Sequence, residues 1–63
     1  MKHKQILLSE YISDSGNISS QVNRITLNGN ITYQVIYNGG VLGYYDTEHE
    51  AEAVAEDSVL EIL

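Results

Sequence analysis

Two stretches of the sequence contain the side chains that most often bind metal ions. His49 and Glu50 stand next to each other as in the helical zinc-protease motif, in which a second histidine follows four residues after the first. That position holds Ala53, so the ligand set is incomplete. Residues 14–17, Asp-Ser-Gly-Asn, contain too few carboxylates for a calcium loop, and the absence of cysteine excludes thiolate ligands. The sequence therefore predicts neither a metal site nor a cofactor.

Catalytic chemistry would have to come from the histidines and serines. A nucleophile needs a base within hydrogen-bond reach and a third group that orients the base. His3 lies near the N-terminus and His49 lies among carboxylates, and no spacing in the chain suggests such a set. Residues 39–43, Gly-Gly-Val-Leu-Gly, lack the lysine and the helix start of a phosphate-binding loop. We therefore predict that the protein is not an enzyme and has no catalytic residues.

The strongest chemical feature of the chain is its negative charge. The 63 residues contain 9 Asp and Glu against 3 Lys and Arg, a net charge of −6. Residues 33–63 hold seven of the acids and no cation, whereas residues 1–32 hold three cations and two acids. Three cations are too few to grip phosphates, so we expect no direct nucleic-acid binding. Such a concentration of acids is typical of a surface that faces a positively charged partner, although acidity can also serve solubility alone.

Most of the acids belong to a predicted C-terminal helix that runs from Thr47 to near the end of the chain. Thr47 and Glu50 form a capping box. Glu48, Glu52 and Glu56 follow one another by one turn, about 6 Å apart, which is close to the roughly 7 Å between phosphates along one strand. At 100° per residue, one stripe of the helix faces the core: Ala51, Val54, Ala55, Ser58, Val59 and Ile62.

The rest of the chain reads as strands and turns. Residues 4–12 fit a strand better than a helix, although both spacings of apolar residues occur there, and residues 13–17 form a loop. The Asn-Gly pairs at 28–29 and 38–39 predict two hairpin turns. The predicted strands that these turns connect are residues 22–27, 31–37 and 41–45. Gly43 lacks a side chain within its strand, which predicts a close approach to the backbone at that point.

These elements predict one α+β domain spanning residues 1–63. It consists of a small antiparallel sheet of three to four strands with one C-terminal helix packed across one face. The helix leaves the other face of the sheet open, and a core this small favours self-association. We predict that Tyr33, Val35 and Tyr37, which share a strand face, fill the open face in a two-fold contact.

Residues 31–57 resemble the three-stranded sheet and helix at the N-terminus of tyrosine-type integrases. The matching residues are Tyr33, Val35, Asn38-Gly39-Gly40, Gly43-Tyr44-Tyr45, Asp46-Thr47 and Glu50-Ala51-Glu52-Ala53. In that family the sheet binds the DNA major groove with basic side chains. No Lys or Arg follows Arg24 here, so the resemblance implies the fold unit but not DNA binding. In size and acidity the chain is also similar to small phage inhibitors of the anti-CRISPR and DNA-mimic classes.

The predicted function is that of a non-enzymatic, phage-type inhibitor that occupies a basic, nucleic-acid-binding surface of a host protein. The alternative is a small homodimeric structural or regulatory module whose acidity serves only solubility. The apolar run at residues 6–8 is too short for a signal peptide or a membrane span, so we expect a cytoplasmic protein, in the host cytoplasm if it is phage-encoded. The predicted partner-binding residues are Glu48, Glu50, Glu52, Glu56, Asp57, Leu60, Glu61 and Tyr44.

Overall fold

The computed structural model describes residues 3–60 and confirms the α+β fold class. Four antiparallel strands form one sheet in the order β1-β2-β3-β4, and one helix follows them. The elements are β1 (His3–Ile12), β2 (Ser19–Leu27), β3 (Asn30–Tyr37), β4 (Gly40–Tyr45) and α1 (Glu48–Ser58). Within this described range, no helix has the length and apolar character that crossing a membrane requires.

Both predicted hairpin turns are present, and their backbone angles explain why Asn-Gly occupies them. Asn28 and Gly29 have φ of 53° and 85°, and Asn38 and Gly39 have φ of 47° and 88°. Two consecutive residues with positive φ match the twist of the flanking strands in a two-residue hairpin. Asn38 also accepts a hydrogen bond through Oδ1 from the amide of Ser19 at 2.8 Å, which ties the second turn to the start of β2.

The first predicted strand is confirmed as β1, and a bulge explains its mixed sequence pattern. Leu7 pairs with Asn23 and Ser9 pairs with Val22, so Leu8 is an extra residue. Beyond the bulge the two faces exchange, which places Leu7 on one side of the sheet and Ser9 and Tyr11 on the other. This exchange breaks the alternation of a regular strand, so Leu7 and Tyr11, which are spaced by four like residues on one face of a helix, lie on opposite faces of the sheet.

The core lies between one face of the sheet and the helix. Val22 and Val35 are paired on β2 and β3, and both are fully buried against Ala51 and Ala55 of the helix. The alanines lack bulk beyond Cβ, so the helix backbone can approach the sheet closely. Val59 is also buried and Val54 packs beside the core, which confirms the predicted stripe over the described residues. The predicted core residue Ile62 lies outside them.

Gly43 allows the close approach that its place in a strand predicts. A Cβ built at Gly43 would lie 3.0 Å from the Tyr45 hydroxyl and 3.3 Å from two of its ring carbons. The ring of Tyr45 therefore covers Gly43, which itself pairs with Val35 on β3. Tyr45 and Tyr33, which are opposite each other, both pack against the core.

The predicted placement of Tyr33, Val35 and Tyr37 on the uncovered face of the sheet is wrong. Val35 is fully buried beneath the helix, and Tyr33 packs on the same core. Tyr37 shares their side because side chains alternate along a strand. Strand alternation separates the two faces of this strand, and the more apolar face is the one that packs against Ala51 and Ala55. Thr32, Gln34 and Ile36 lie on the other face.

Candidate functional site

The candidate site is the solvent-facing side of α1, whose start follows the predicted capping box. The N-cap, Thr47, has extended backbone angles, and its Oγ1 accepts a hydrogen bond from the amide of Glu50 at 3.2 Å. The same hydroxyl donates to Glu50 Oε1 at 3.2 Å. Glu48 and Glu50 lie in the first turn, where the positive end of the helix dipole stabilises carboxylates.

Four of the predicted partner-binding acids are exposed on this helix: Glu48, Glu50, Glu56 and Asp57. Glu50 and Asp57 are separated by seven residues, so they lie along one edge of the helix about 10 Å apart. Glu48 and Glu56 are about 12 Å apart along the axis by the same rise per residue. Residues 33–63 contain no Lys or Arg, so no cation from the second half of the chain neutralises these acids.

Glu52 does not belong with these solvated acids, and the predicted axial row of Glu48, Glu52 and Glu56 is interrupted at its centre. Glu52 is half-buried, and its carboxylate accepts hydrogen bonds from Ser9 Oγ at 2.6 Å and from Tyr11 Oη at 2.5 Å. The bulge in β1 turns both donors toward the helix. Glu52 therefore joins the helix to an edge strand, which corrects the prediction that it lies with the exposed acids of the partner-binding surface.

The contact with Glu52 changes the acid–base behaviour of Tyr11. The hydrogen bond to the carboxylate, with burial and the negative charges of Glu52 and Glu56 adding to it, raises the pKa of Tyr11 from 10.0 to about 12. All of these causes favour the protonated phenol, which is the form that donates to Glu52. The tyrosine therefore acts as a neutral donor at ordinary pH, and sequence spacing contains no sign of this long-range pair.

Tyr44 also lies apart from the acidic helix. It pairs with Gln34 on β3, on the side of the sheet that faces away from α1, and its hydroxyl accepts a hydrogen bond from Gln34 Nε2 at 3.2 Å. The sequence prediction placed Tyr44 with the helix acids on one partner-binding surface. Strand alternation sends Tyr45, rather than Tyr44, to the helix side, so Tyr44 cannot share one surface with the acids.

The helix ends earlier than predicted, which changes the position of Leu60. The amides of Val59 and Leu60 donate to the carbonyls of Glu56 and Asp57 at 3.4 and 3.2 Å, so the last turn tightens and the helix stops at Ser58. Ser58 contacts Ser20 of β2 through the two hydroxyls. Leu60 is exposed beyond the helix end. The last predicted partner-binding acid, Glu61, lies outside the described residues.

A small cleft opens beside the helix end. It has a volume of about 190 Å³ and is lined by Ile12, Ser13, Asp14, Val59 and Leu60. Ligand pockets are typically larger, about 300–1,000 Å³, and Asp14 is the one ionisable side chain in this lining. Within residues 3–60, no group of three or more His, Asp and Glu side chains is arranged to hold a metal ion.

Comparison with known proteins identifies no relative of this chain. No protein-family model, curated protein or solved structure matches the chain. The resemblance of residues 31–57 to integrase domains therefore stays a prediction.

Proposed function

We propose that this chain is a non-enzymatic binding protein that occupies a basic, nucleic-acid-binding surface of another protein. The observation that supports the proposal is the separation of the helix acids into two groups. Glu52 is bound within the fold, whereas Glu48, Glu50, Glu56 and Asp57 are exposed on the same short helix. A helix with this much like charge is less stable than one with mixed charges. Binding of a basic surface would offset that cost, which accounts for the concentration of exposed acids.

The proposed interaction pairs the carboxylates of the helix with cationic side chains that would otherwise bind phosphates. Arg and Lys bind carboxylates and phosphates through the same charge-assisted hydrogen bonds. The two pairs of exposed acids, Glu50 with Asp57 and Glu48 with Glu56, are separated by about 10–12 Å along the helix axis. This distance lies between the spacing of successive phosphates, about 7 Å, and that of alternate phosphates, about 14 Å. The helix would therefore engage separate cations along a groove, and it would compete with nucleic acid for that groove.

The class of inhibitor in this proposal is the phage type, acting in the cytoplasm of a host. Small size, strong acidity and the absence of any sequence pattern for catalysis support that class. The chain itself should not bind duplex DNA at physiological salt, because its net charge of −6 repels phosphates.

The test compares the wild-type chain with a variant whose helix acids are neutralised. The variant carries Glu48→Gln, Glu50→Gln, Glu56→Gln and Asp57→Asn, and it leaves Glu52 in place so that the fold is retained. A control variant, Glu10→Gln with Asp14→Asn, removes the two exposed acids that lie outside the second half of the chain, one in β1 and one in the following loop.

Each form is used to capture host proteins, and each captured protein is then loaded with labelled duplex. We expect the wild type and the control to displace the duplex, less well as salt is raised, and the helix variant to lose most of this activity. Equal displacement by the helix variant and the wild type would contradict the proposal. So would a captured protein whose nucleic acid is unaffected by the wild-type chain.

A further inference from the structure

The face of the sheet turned away from α1 is a second surface, distinct from the acidic helix. Strand alternation places it opposite the buried pair of Val22 and Val35. Nothing among residues 3–60 packs over it, because α1 lies on the other side. We call this surface the open face, and its centre consists of Leu7, Asn23, Ile25, Gln34, Ile36 and Tyr44.

The centre of the open face is an ordered row across all four strands. Leu7 pairs with Asn23, Asn23 with Gln34, and Gln34 with Tyr44. Asn23 Nδ2 donates to Gln34 Oε1 at 3.4 Å, and Gln34 Nε2 donates to Tyr44 Oη at 3.2 Å. The two amides are only 5% and 8% exposed, although no element covers them, whereas Leu7 and Tyr44 at the ends are 55% and 58% exposed.

The charge of the open face indicates what it can bind. The whole chain has a net charge of −6, but Glu10, which pairs with Gln21 near one edge, is the one Asp, Glu, Lys or Arg that strand alternation places on this face within the strands of residues 4–45. A basic partner would find little counter-charge here. The two central amides are bonded within the row, and the exposed groups, Leu7 and Tyr44, are largely apolar. An uncharged surface of this kind is complementary to a copy of itself around a two-fold axis.

The size of the open face is sufficient for such a contact. Four strands spaced about 4.8 Å apart give a width of about 19 Å, and eight residues at about 3.3 Å each give a length of about 26 Å. Two such faces in contact bury about 1,000 Å², which is the lower bound for a specific interface. A chain this short buries only about 60% of its unfolded surface, so the added burial also stabilises the fold.

We infer that the open face binds the open face of a second copy, as two sheets packed face to face. Sheets in such packing are about 10 Å apart, so each α1 lies on an outer surface of the pair. The two acidic helices then lie on opposite sides of the dimer, and each side presents one acidic surface. This inference does not depend on what the acidic helix binds.

Sedimentation equilibrium over a range of concentrations tests the inference, with variants of matched exposure. Leu7→Glu places a carboxylate within the open face, whereas Ile31→Glu adds the same charge on the helix-side row of β3, where Ile31 is 54% exposed. We expect a wild-type dimer, a loss of dimer affinity of roughly 100-fold or more for Leu7→Glu, and little change for Ile31→Glu. Circular dichroism checks that each variant is folded.

A third variant and a change of salt separate this contact from other modes of association. Tyr44→Lys lowers the net negative charge, so its dissociation could not come from increased repulsion between copies. We expect it to dissociate, and we expect wild-type dimerisation to hold or strengthen as salt screens the repulsion between two acidic chains. A wild-type monomer at all concentrations would overturn the inference. The inference would also be overturned if Leu7→Glu and Ile31→Glu lowered the dimer affinity equally, or if added salt dissociated the wild-type dimer.

Discussion

Neutralising Glu52 is the change that best tests the geometry of the helix–sheet contact. Ser9 and Tyr11 both donate to its carboxylate, at 2.6 and 2.5 Å. Hydrogen bonds to a charged acceptor contribute about 1.5–3 kcal/mol each, and partial exposure of this pair reduces that to about 1 kcal/mol each. Glu52→Gln keeps the size of the side chain and removes the charge, so it weakens both bonds.

A second effect of the same substitution acts in the opposite direction. Glu52 repels Glu48 and Glu56, one turn away on each side, and removing its charge recovers about 0.2–0.5 kcal/mol per pair. The net expectation is a loss of about 1–2 kcal/mol in the free energy of unfolding. A domain of this length has a total stability of about 3–9 kcal/mol, and the melting temperature should fall by roughly 5–15 °C.

The assay is thermal and denaturant unfolding of three variants and one double variant. Glu56→Gln is the matched control, because Glu56 is an exposed acid one turn along the helix, and its melting temperature should stay the same or rise. Combining Glu52→Gln with Tyr11→Phe should cost less than the sum of the two single changes, with a coupling energy of about 0.5–1.5 kcal/mol. A stabilised Glu52→Gln, or strictly additive effects, would refute the contact.

Three further expectations follow from individual contacts. The raised pKa of Tyr11 means that the folded state keeps a proton that the unfolded state loses between pH 10.0 and about 12, so stability should be complete below this window and fall through it. Denaturant midpoints at about pH 9 and about pH 11 measure that slope, which Tyr11→Phe should reduce. Gly43→Val should destabilise the domain by about 1–3 kcal/mol because it displaces the Tyr45 ring. Gly40→Val, whose nearest neighbour is an ordinary contact at 3.7 Å, should not; equal melting temperatures would contradict this account. Thr47→Ala should cost about 1 kcal/mol and Thr47→Ser much less, as measured by urea unfolding, and an unchanged midpoint for Thr47→Ala would argue against the N-cap.

Local sequence was sufficient to determine the order of the elements and where most of them begin. A two-residue hairpin requires positive φ at two successive residues, which Asn-Gly tolerates, so these pairs placed both hairpins. Thr47 and Glu50 placed the start of the helix, because a capping box satisfies the free amides there. The spacing of Ala51 and Ala55 determined which side of the helix is buried. Each of these features depends on residues close together in the chain, so a linear pattern can reveal it.

Only the tertiary structure decided which face of the sheet meets the helix and which acids remain free. Val35 is buried rather than part of the open face, because it packs against alanines that follow it by sixteen and twenty residues. The bulge at Leu8 exchanges the faces of β1 and brings Ser9 and Tyr11 to Glu52, more than forty residues away. One inserted residue reverses the alternation of the strand residues that follow it. The sequence pattern does not show where such a residue lies, so it does not show that Ser9 and Tyr11 face Glu52. The sequence therefore determined that the chain is acidic, and the fold determined which of those acids are exposed.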